Sequence, residues 1–530
     1  MKTRVLYHLI RADFLERVRR YSFLVTLAAA MYLAYCCVTG KIVVRLDEYR
    51  GVYNSAWLGC VMTLVASTFL SLFGFYIVKN SIQRDQQTRV GRILATTPMT
   101  KNFYTVAKTI SNFAVLASMV AVTALAAVAM QFLKAEDPQV HLWQLLSPFL
   151  LFALPAMAVT GALAVLFETI PGLRGGIGNV AYFFLWTALL AVPIGTLDKD
   201  KAISNGAYFS DVTGVVSVMS QMRADLRRVH PEYNGGSALT IGDTATTKKF
   251  LWTGLRLSPV AYLSRLTSLL MALFIALVAA TFFHRFDPAL EWSLKKSRAV
   301  TPPAAANGDA AALTMPQTFS SARLTPMPRA AAVTFPGIVL AELKLKLKGH
   351  RWWWYAVAAG LFIASVASPL DATREGIAVV ALIWPILIWS QMGTREAGFN
   401  TGSLIFSAPR SLWRQLPAVW IAGILVAAAT NGGLGIRLAL ARDREGLLAW
   451  IACAVFVPSL ALALGIWSGT SKTFEAIYTI WWYIGPAHHM PGLDFLGASA
   501  ESAQPVTYFL LAAGLIVAAF LGRRVKLAQA

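Results

Sequence analysis

About twelve long apolar runs dominate this amino-acid sequence. A membrane's hydrocarbon core needs roughly 20 consecutive apolar residues for each helical crossing. The chain has 57% hydrophobic and only 14% charged residues, whereas soluble proteins are about a quarter charged. We therefore predict an all-α membrane protein with about 12 transmembrane helices. The runs lie near 22–38, 55–78, 110–132, 146–167, 177–196, 259–283, 353–369, 376–392, 416–433, 447–467, 474–485 and 506–522.

The net charge of +21 is distributed unevenly among the segments that connect these runs. If the N-terminus is cytoplasmic and the runs alternate in direction, the excess of Lys and Arg falls on the cytoplasmic segments. That asymmetry is typical of multi-pass membrane proteins. We therefore predict a protein of the cell (cytoplasmic) membrane with both termini in the cytoplasm. The lipid bilayer is its expected surrounding, and nucleic acid is not an expected partner.

The same polar connector occurs twice. QRDQQTRVGRILATTP, residues 83–98, and TREAGFNTGSLIFSAP, residues 394–409, share Arg, an acid, Gly, two aliphatics and Pro at the same offsets. An amphipathic stretch precedes the crossings of each half, at 8–23 and 335–354. We therefore predict two six-helix repeats, each preceded by an amphipathic interfacial helix.

The predicted repeats divide the chain into three parts. The first transmembrane half covers residues 1–290, a flexible Ala- and Pro-rich cytoplasmic linker covers 291–334, and the second half covers 335–530. The first half includes a long outer loop at 197–257. Four apolar residues of this loop follow helical spacing and predict a short amphipathic helix on the outer membrane face. They are Val215, Met219, Met222 and Leu226.

The central parts of the twelve runs contain no Asp, Glu, Lys, Arg or His. Glu168 and Glu475 lie at cytoplasmic ends, and Arg265 lies near an outer end. Charged groups at membrane depth are costly and mark ion-coupled transport where they occur. Their absence favours a passage that is driven by force applied from outside the membrane.

The first connector, continued to RDQQTRVGRILATTPMTKNFYTVAK at 84–108, closely resembles the cytoplasmic connector after the second crossing in type-2 ABC-transporter permeases, the drug and polysaccharide export group. The stretch WWYIGPAHHMPGLDFLG, residues 481–497, also resembles a segment of fused two-half members. Gln415 and Val419 depart from the aromatic residue and the Lys that follow the connector in the family. The matching residues are Asp85, Gly91, Ile93, Leu94, Pro98, Tyr104 and Lys108 in the first half, and Glu396, Gly402, Leu404, Ile405 and Pro409 in the second.

The resemblance implies the membrane subunit of an ATP-driven exporter. The cargo is not identified by the sequence, and the apolar, aromatic-rich runs fit a hydrophobic or amphipathic one. In this family the connector docks on a separate ABC ATPase, so two fused halves would recruit two copies. ATP and Mg would be bound by that partner, and we expect neither enzyme activity nor a cofactor in this chain. The residues expected to couple transport to the ATPase are Arg84, Asp85, Gly91, Pro98, Lys101, Tyr104, Arg395, Glu396, Gly402, Pro409 and Arg410.

Two other functions remain open. A secondary carrier of the major-facilitator type also has six plus six crossings, and RDQQTRVGR is similar to that group's Asp-x-x-x-x-x-Gly-Arg loop. A membrane-embedded enzyme or assembly scaffold would need chemistry in the outer loop.

GIWSGTSKT, residues 465–473, lacks the spacing of a phosphate loop. The adjacent His488 and His489 have no third ligand nearby, so no metal site is expected.

Overall fold

The computed structural model describes residues 2–134, 136–137, 139–196, 205–233, 236, 238–241, 248–256, 258–286, 334–350, 352–399, 401–407, 410–490, 492–497 and 504–529. Within the first half, the helices are α1 (Lys2–Val18), α2 (Tyr21–Val38), α3 (Ser55–Val78), α4 (Ser81–Gln87), α5 (Val90–Thr96), α6 (Lys101–Lys134), α7 (Leu142–Pro148), α8 (Leu154–Thr169), α9 (Gly176–Gly195), α10 (Asn205–Ser210), α11 (Val215–Val229) and α12 (Pro259–Phe282). One π-helical turn, Phe149–Ala153, joins α7 to α8.

The second half continues with further helices. These are α13 (Phe335–Leu347), α14 (Trp352–Ala367), α15 (Leu370–Ala372), α16 (Ala378–Ile383), α17 (Ile386–Trp389), α18 (Arg395–Gly398), α19 (Gly402–Phe406), α20 (Ser411–Leu440), α21 (Arg444–Ser468), α22 (Ser471–Ile484) and α23 (Pro505–Gln529). Of the predicted linker 291–334, only Thr334 lies among the described residues.

Eight helices in the described part of the chain are long and apolar enough to cross a membrane. The expected helical membrane architecture is confirmed at this level. The eight are Ser55–Gln87, Lys101–Leu133, Leu142–Thr169, Gly176–Gly195, Pro259–Phe282, Ser411–Leu440, Arg444–Ser468 and Pro505–Ala528. They account for eight of the twelve apolar runs.

The other four runs form shorter or bent helices. Helix α2 follows α1 after a bend of 72°, and the pair is a ninth candidate if it is one broken span. The run at 376–392 is divided between α16 and α17 because Pro385 cannot donate a backbone hydrogen bond. Helices α14 and α22 have 16 and 14 residues. The count of twelve crossings therefore stays a prediction.

The long helices run between two ends of the molecule. Asn54, at the start of α3, donates to the carbonyl of Trp252 at 2.8 Å, whereas the other end of α3 leads into α4. Lys472, at the start of α22, donates to the carbonyl of Lys79 at 2.7 Å. We call the end that carries α4, α5, α18 and α19 the connector face. The opposite end of the first half carries a cap formed by α10, α11 and four strands.

The cap contains short strands that the apolar pattern did not predict. β1 (Ile42–Arg45) pairs antiparallel with β3 (Ala238–Ile241), and β2 (Tyr49–Gly51) pairs parallel with β4 (Lys248–Phe250). The cap is tied to the end of α6 by Glu136, which accepts two hydrogen bonds from Arg50 at 3.1 and 2.7 Å. These contacts give the first half a folded cap.

Helix α11 confirms the helix predicted in the outer loop. Its apolar side is buried in protein, with Met222 and Leu226 inside the core of the first half. Asp211 caps its start by accepting hydrogen bonds from the backbone N–H of Gly214 and Ser217, at 2.9 and 2.8 Å. The hydrophobic surface of α11 is therefore covered by the protein instead of lying on a membrane.

Each half has its own hydrophobic core. The larger cluster joins α2, α3, α6 and α8 with the cap, and a second cluster joins α16, α20, α21, α22 and α23. Ala476 of α22 is an exception, since it belongs to the cluster of the first half. A third, smaller cluster around Tyr104 and Phe283 lies beneath the first connector.

Candidate functional site: the two connectors

The first connector is held at its root by a buried glutamate. Glu168, at the end of α8, accepts hydrogen bonds from the backbone N–H of Asn80, Ser81 and Ile82 at 2.7, 2.8 and 2.6 Å. These donors are the unpaired groups at the start of α4, where a carboxylate is favoured. The carboxylate therefore fixes α4 to the end of α8.

Asp85 lies in a buried ionic cluster beneath α4. Tyr104 donates to its carboxylate at 2.7 Å, and the ammonium of Lys108 lies 2.8 Å from the same oxygen. Lys108 also donates to Asp13 of α1 at 2.8 Å. One lysine thus joins the connector to α1, and its own side chain is almost fully buried.

Gly91 contacts the segment that follows α12, residues 283–286, which we call the tail of α12. A Cβ at Gly91 would lie 2.7 Å from the ring of Phe286. The guanidinium of Arg285 donates to the carbonyl of Thr97 and, at 3.3 Å, to that of Ala95. Arg285 and Phe286 have positive φ angles of 51° and 61°, a conformation that bulky residues adopt only when their surroundings hold them there. The tail of α12 therefore clamps α5.

The second connector repeats the burial of its acid with other partners. Glu396 is buried and accepts a hydrogen bond from Arg523 of α23 at 3.1 Å. Gln415 lies 3.5 Å from the other carboxylate oxygen. The guanidinium of Arg523 also stacks over the ring of Phe406, 4.7 Å from its centroid. The last helix of each half thus contacts the connector of that half.

The first Arg of each connector pairs with the first helix of its half. Arg84 forms an ion pair with Glu16 of α1, and Arg395 lies 4.0 Å from Glu342 of α13. Next to this second pair, burial lowers the pKa of Lys346 to about 8, and Glu342 opposes that shift. Both α1 and α13 are therefore tied to their connectors by Arg–Glu pairs.

Several of the predicted coupling residues have no such contacts. A Cβ at Gly402 would meet nothing within 4 Å, unlike that at Gly91. Pro98 and Lys101 are exposed. Arg410 is exposed at the start of α20, with φ of 55°. Pro409 lies outside the described residues.

Apolar side chains protrude from both connectors. Ile93 on α5 is 68% exposed, and Leu404 on α19, at the corresponding position of the repeat, is 75% exposed. Val90 and Phe399 are exposed beside them. Exposed apolar side chains rimmed by polar ones mark binding surfaces when they are grouped. Arg89 and Arg92 supply exposed charges around Ile93.

Five of the predicted coupling residues thus differ from the exposed ones. Arg84, Asp85, Tyr104, Arg395 and Glu396 are brought together with helices of the same chain. These residues are placed to hold the connectors in position, and they do not offer free side chains to a partner. Docking of an ATPase at any of the residues stays a prediction.

Several contacting residues were not identified from the sequence. They lie far along the chain from the connector that they contact and include Glu16, Glu168, Arg285, Phe286, Glu342 and Arg523. For Glu168 a signal was present, since a carboxylate that ends an apolar run needs a partner. In the described part of the chain, no three His, Cys, Asp or Glu residues are grouped as metal ligands.

Comparison with known proteins returned no match. No family model matches the chain. Neither a curated protein nor a solved structure matches it.

Proposed function

We propose that this chain is the membrane-spanning subunit of an ATP-driven ABC exporter and that both of its connectors dock on a separate ATPase. The observation that carries the proposal is the matched pair of protruding residues, Ile93 and Leu404. Each lies on a short helix that directly follows one whose acid is buried. In this proposal, force on the protruding side chain reaches the membrane helices through that acid. The resemblance of residues 84–108 to type-2 permease connectors supports the same conclusion.

The twofold repeat belongs to this proposal. Arg84–Glu16 and Arg395–Glu342 are equivalent pairs, and they support two halves that are built alike. In the proposed arrangement α2, α14, the α16–α17 pair and α22 complete twelve crossings, and the connector face is cytoplasmic. Two ATPase copies bind ATP and Mg, and the cargo is hydrophobic or amphipathic.

The experiment targets the protruding residues and leaves the buried ones unchanged. Ile93→Asp combined with Leu404→Asp places charge on both proposed docking surfaces without disturbing Asp85 or Glu396. The full chain is tagged and purified from its native membranes, and co-purified proteins are identified by mass spectrometry. We expect an ABC ATPase with the unmodified chain and at least a tenfold loss of it with the double variant, since the few residues that dominate an interface each carry about 2 kcal/mol or more, roughly a factor of 30.

A matched control is available on the cap. Val229, at the end of α11, is 63% exposed, so Val229→Asp adds a charge at a similarly exposed apolar site on the opposite end. It should leave co-purification unchanged. Recovery of no ATPase with the unmodified chain would contradict the proposed function. Equal recovery with the double variant would contradict the assignment of the docking surfaces.

A further inference from the structure

The two halves meet near the connector face through buried polar side chains. Lys472 of α22 donates its ammonium hydrogens to the carbonyls of Tyr76 and Lys79 at 3.0 and 2.7 Å. Tyr76 lies in the last turn of α3 and Lys79 is the residue that ends it, where carbonyls lack partners within the helix. A cation from the second half therefore caps a helix of the first half.

A second set of contacts connects Lys79 to Glu475 of the second half through Asn179. Lys79 donates to the side-chain oxygen of Asn179 at 2.6 Å and to the carbonyl of Leu173 at 3.0 Å. The amide nitrogen of Asn179 donates to the carboxylate of Glu475. We call Lys79, Asn179, Lys472 and Glu475 the seam network. Apart from Lys472, which is half-buried, its members are almost fully buried.

Farther from the connector face, α9 of the first half and α22 of the second half meet through aromatic rings. Phe183 and Tyr483 have centroids 5.4 Å apart, and Phe184 and Trp482 have centroids 6.4 Å apart. Apolar contacts of this kind stabilise without strict geometry. Buried charged side chains contribute little net stability as long as all are paired. When one of them moves, however, several hydrogen bonds of the network are lost together. The polar end of the seam is therefore suited to separate as a unit.

The seam network is directly joined to the first connector. Lys79 immediately precedes Asn80 and Ser81, whose backbone N–H groups are bound by Glu168. A displacement of α4 therefore moves both the ammonium of Lys79 and the carbonyl that Lys472 caps. Helix α4 in turn carries Asp85 and leads into α5, which bears the protruding Ile93.

We propose that Lys79, Asn179, Lys472 and Glu475 are positioning residues that close the space between the two halves at the connector face, and that movement of the first connector separates them. The force that moves the connector rests on the proposed function. The closure itself does not, because it depends only on contacts within this chain.

The test uses a cysteine reporter in the seam and a matched one elsewhere. Ala476→Cys introduces a thiol at a second-half residue that is 4% exposed and packs in the first-half core. Ala461→Cys, 0% exposed in the second-half core, is the control. A water-soluble maleimide is added to the purified full chain in lipid nanodiscs, and site-resolved mass spectrometry follows each thiol. This readout separates the reporters from the four native cysteines, which are all buried.

Lys472→Met removes the cation that bridges the halves. We expect it to raise the labelling rate of the Ala476→Cys thiol roughly tenfold, the factor that corresponds to about 1.4 kcal/mol. The Ala461→Cys thiol should keep its slow rate. Glu475→Ala, which removes the acceptor of the Asn179 amide, should act in the same direction and replaces Lys472→Met if that variant does not fold. An unchanged Ala476→Cys rate, or an equal rise at both reporters, would overturn the proposal.

A second arm tests the driving force. With the co-purified ATPase, ATP should raise the labelling rate of Ala476→Cys in the otherwise unmodified chain and leave Ala461→Cys unchanged. If the ATPase is present and hydrolyses ATP without this rise, the role of the seam in the transport cycle is wrong. If no ATPase is recovered, the proposed function fails, while the Lys472→Met result still decides whether the network closes the seam.

Discussion

The hydroxyl of Tyr104 donates a hydrogen bond of 2.7 Å to the carboxylate of Asp85. At the corresponding positions of the second half, the amide of Gln415 lies 3.5 Å from the carboxylate of Glu396. Gln415 departs from the aromatic residue of the connector motif, yet it faces the same acid. The contact between these two positions is thus kept where the residue type is not.

Lys108 should be essential for folding. Lys108→Met leaves the carboxylates of Asp13 and Asp85 buried without their shared cation, which commonly costs about 3–5 kcal/mol. We expect loss of the monodisperse protein in detergent, measured by size-exclusion chromatography. Lys101→Met removes an exposed lysine from the same helix and should leave the elution profile unchanged. A well-folded Lys108→Met protein would contradict the proposed cluster.

The two connector glycines should respond differently to the same substitution. Gly91→Ala forces Phe286 away from α5, and overpacking of this kind typically costs about 1–3 kcal/mol. Gly402→Ala meets open space and should be neutral. Thermal unfolding in detergent measures both variants. Equal melting temperatures for the two would show that the ring of Phe286 does not hold the connector.

Glu168 should control how firmly the first connector is attached. Glu168→Ala leaves the backbone N–H groups at the start of α4 without an acceptor, at a cost of about 1–3 kcal/mol. We expect faster tryptic cleavage after Arg89 and Arg92, which are exposed on the connector. Glu445→Ala, an exposed residue in the first turn of α21, is the control. Unaltered cleavage in Glu168→Ala would show that this carboxylate does not fix α4 to the end of α8.

The stability of the cap should depend on pH through Glu136. The hydrogen bonds from Arg50 lower the pKa of Glu136 from about 4.5 to about 2. A carboxyl group whose pKa is lowered by folding contributes stability above its unfolded pKa, and that stability is lost as the pH falls through the folded value. Between about pH 4.5 and pH 2, the cap should therefore loosen progressively.

Hydrogen exchange of the β2 backbone measures this loss of stability. Glu136→Gln, which cannot ionise, should show weaker protection at pH 7 and a flatter dependence on pH over this window. Identical pH profiles for Glu136→Gln and the unmodified chain would refute the role of the ion pair.

Local pattern predicted the long helices because burial in a membrane requires a continuous apolar run. It did not predict β1, which has only four residues and pairs with a strand about 200 positions away. Such non-local pairing leaves no periodic signal in a single segment. Pro385 is itself a signal that a helix ends. The run was nevertheless predicted as one crossing, because the residues on both sides of the proline are apolar.

The connectors show the same division. Asp85 and Glu396 were found because they recur at the same offset, and Tyr104 belonged to the same motif. Whether these acids face outward or inward was set by packing, since Lys108 contacts Asp85 and Arg523 contacts Glu396 from other helices. Phe286 was not predicted because its contact with Gly91 arises only when α12 packs beside α6.

The pairing of β1 with β3 sets an order on biosynthesis. When Ile42–Arg45 leaves the ribosome, its partner strand Ala238–Ile241 does not yet exist, and at roughly 5–20 residues per second it follows about 10–40 s later. During that interval the first strand has an open edge, the kind of surface on which neighbouring chains assemble wrongly. This small sheet can therefore be completed only after the chain has been synthesised as far as Ile241.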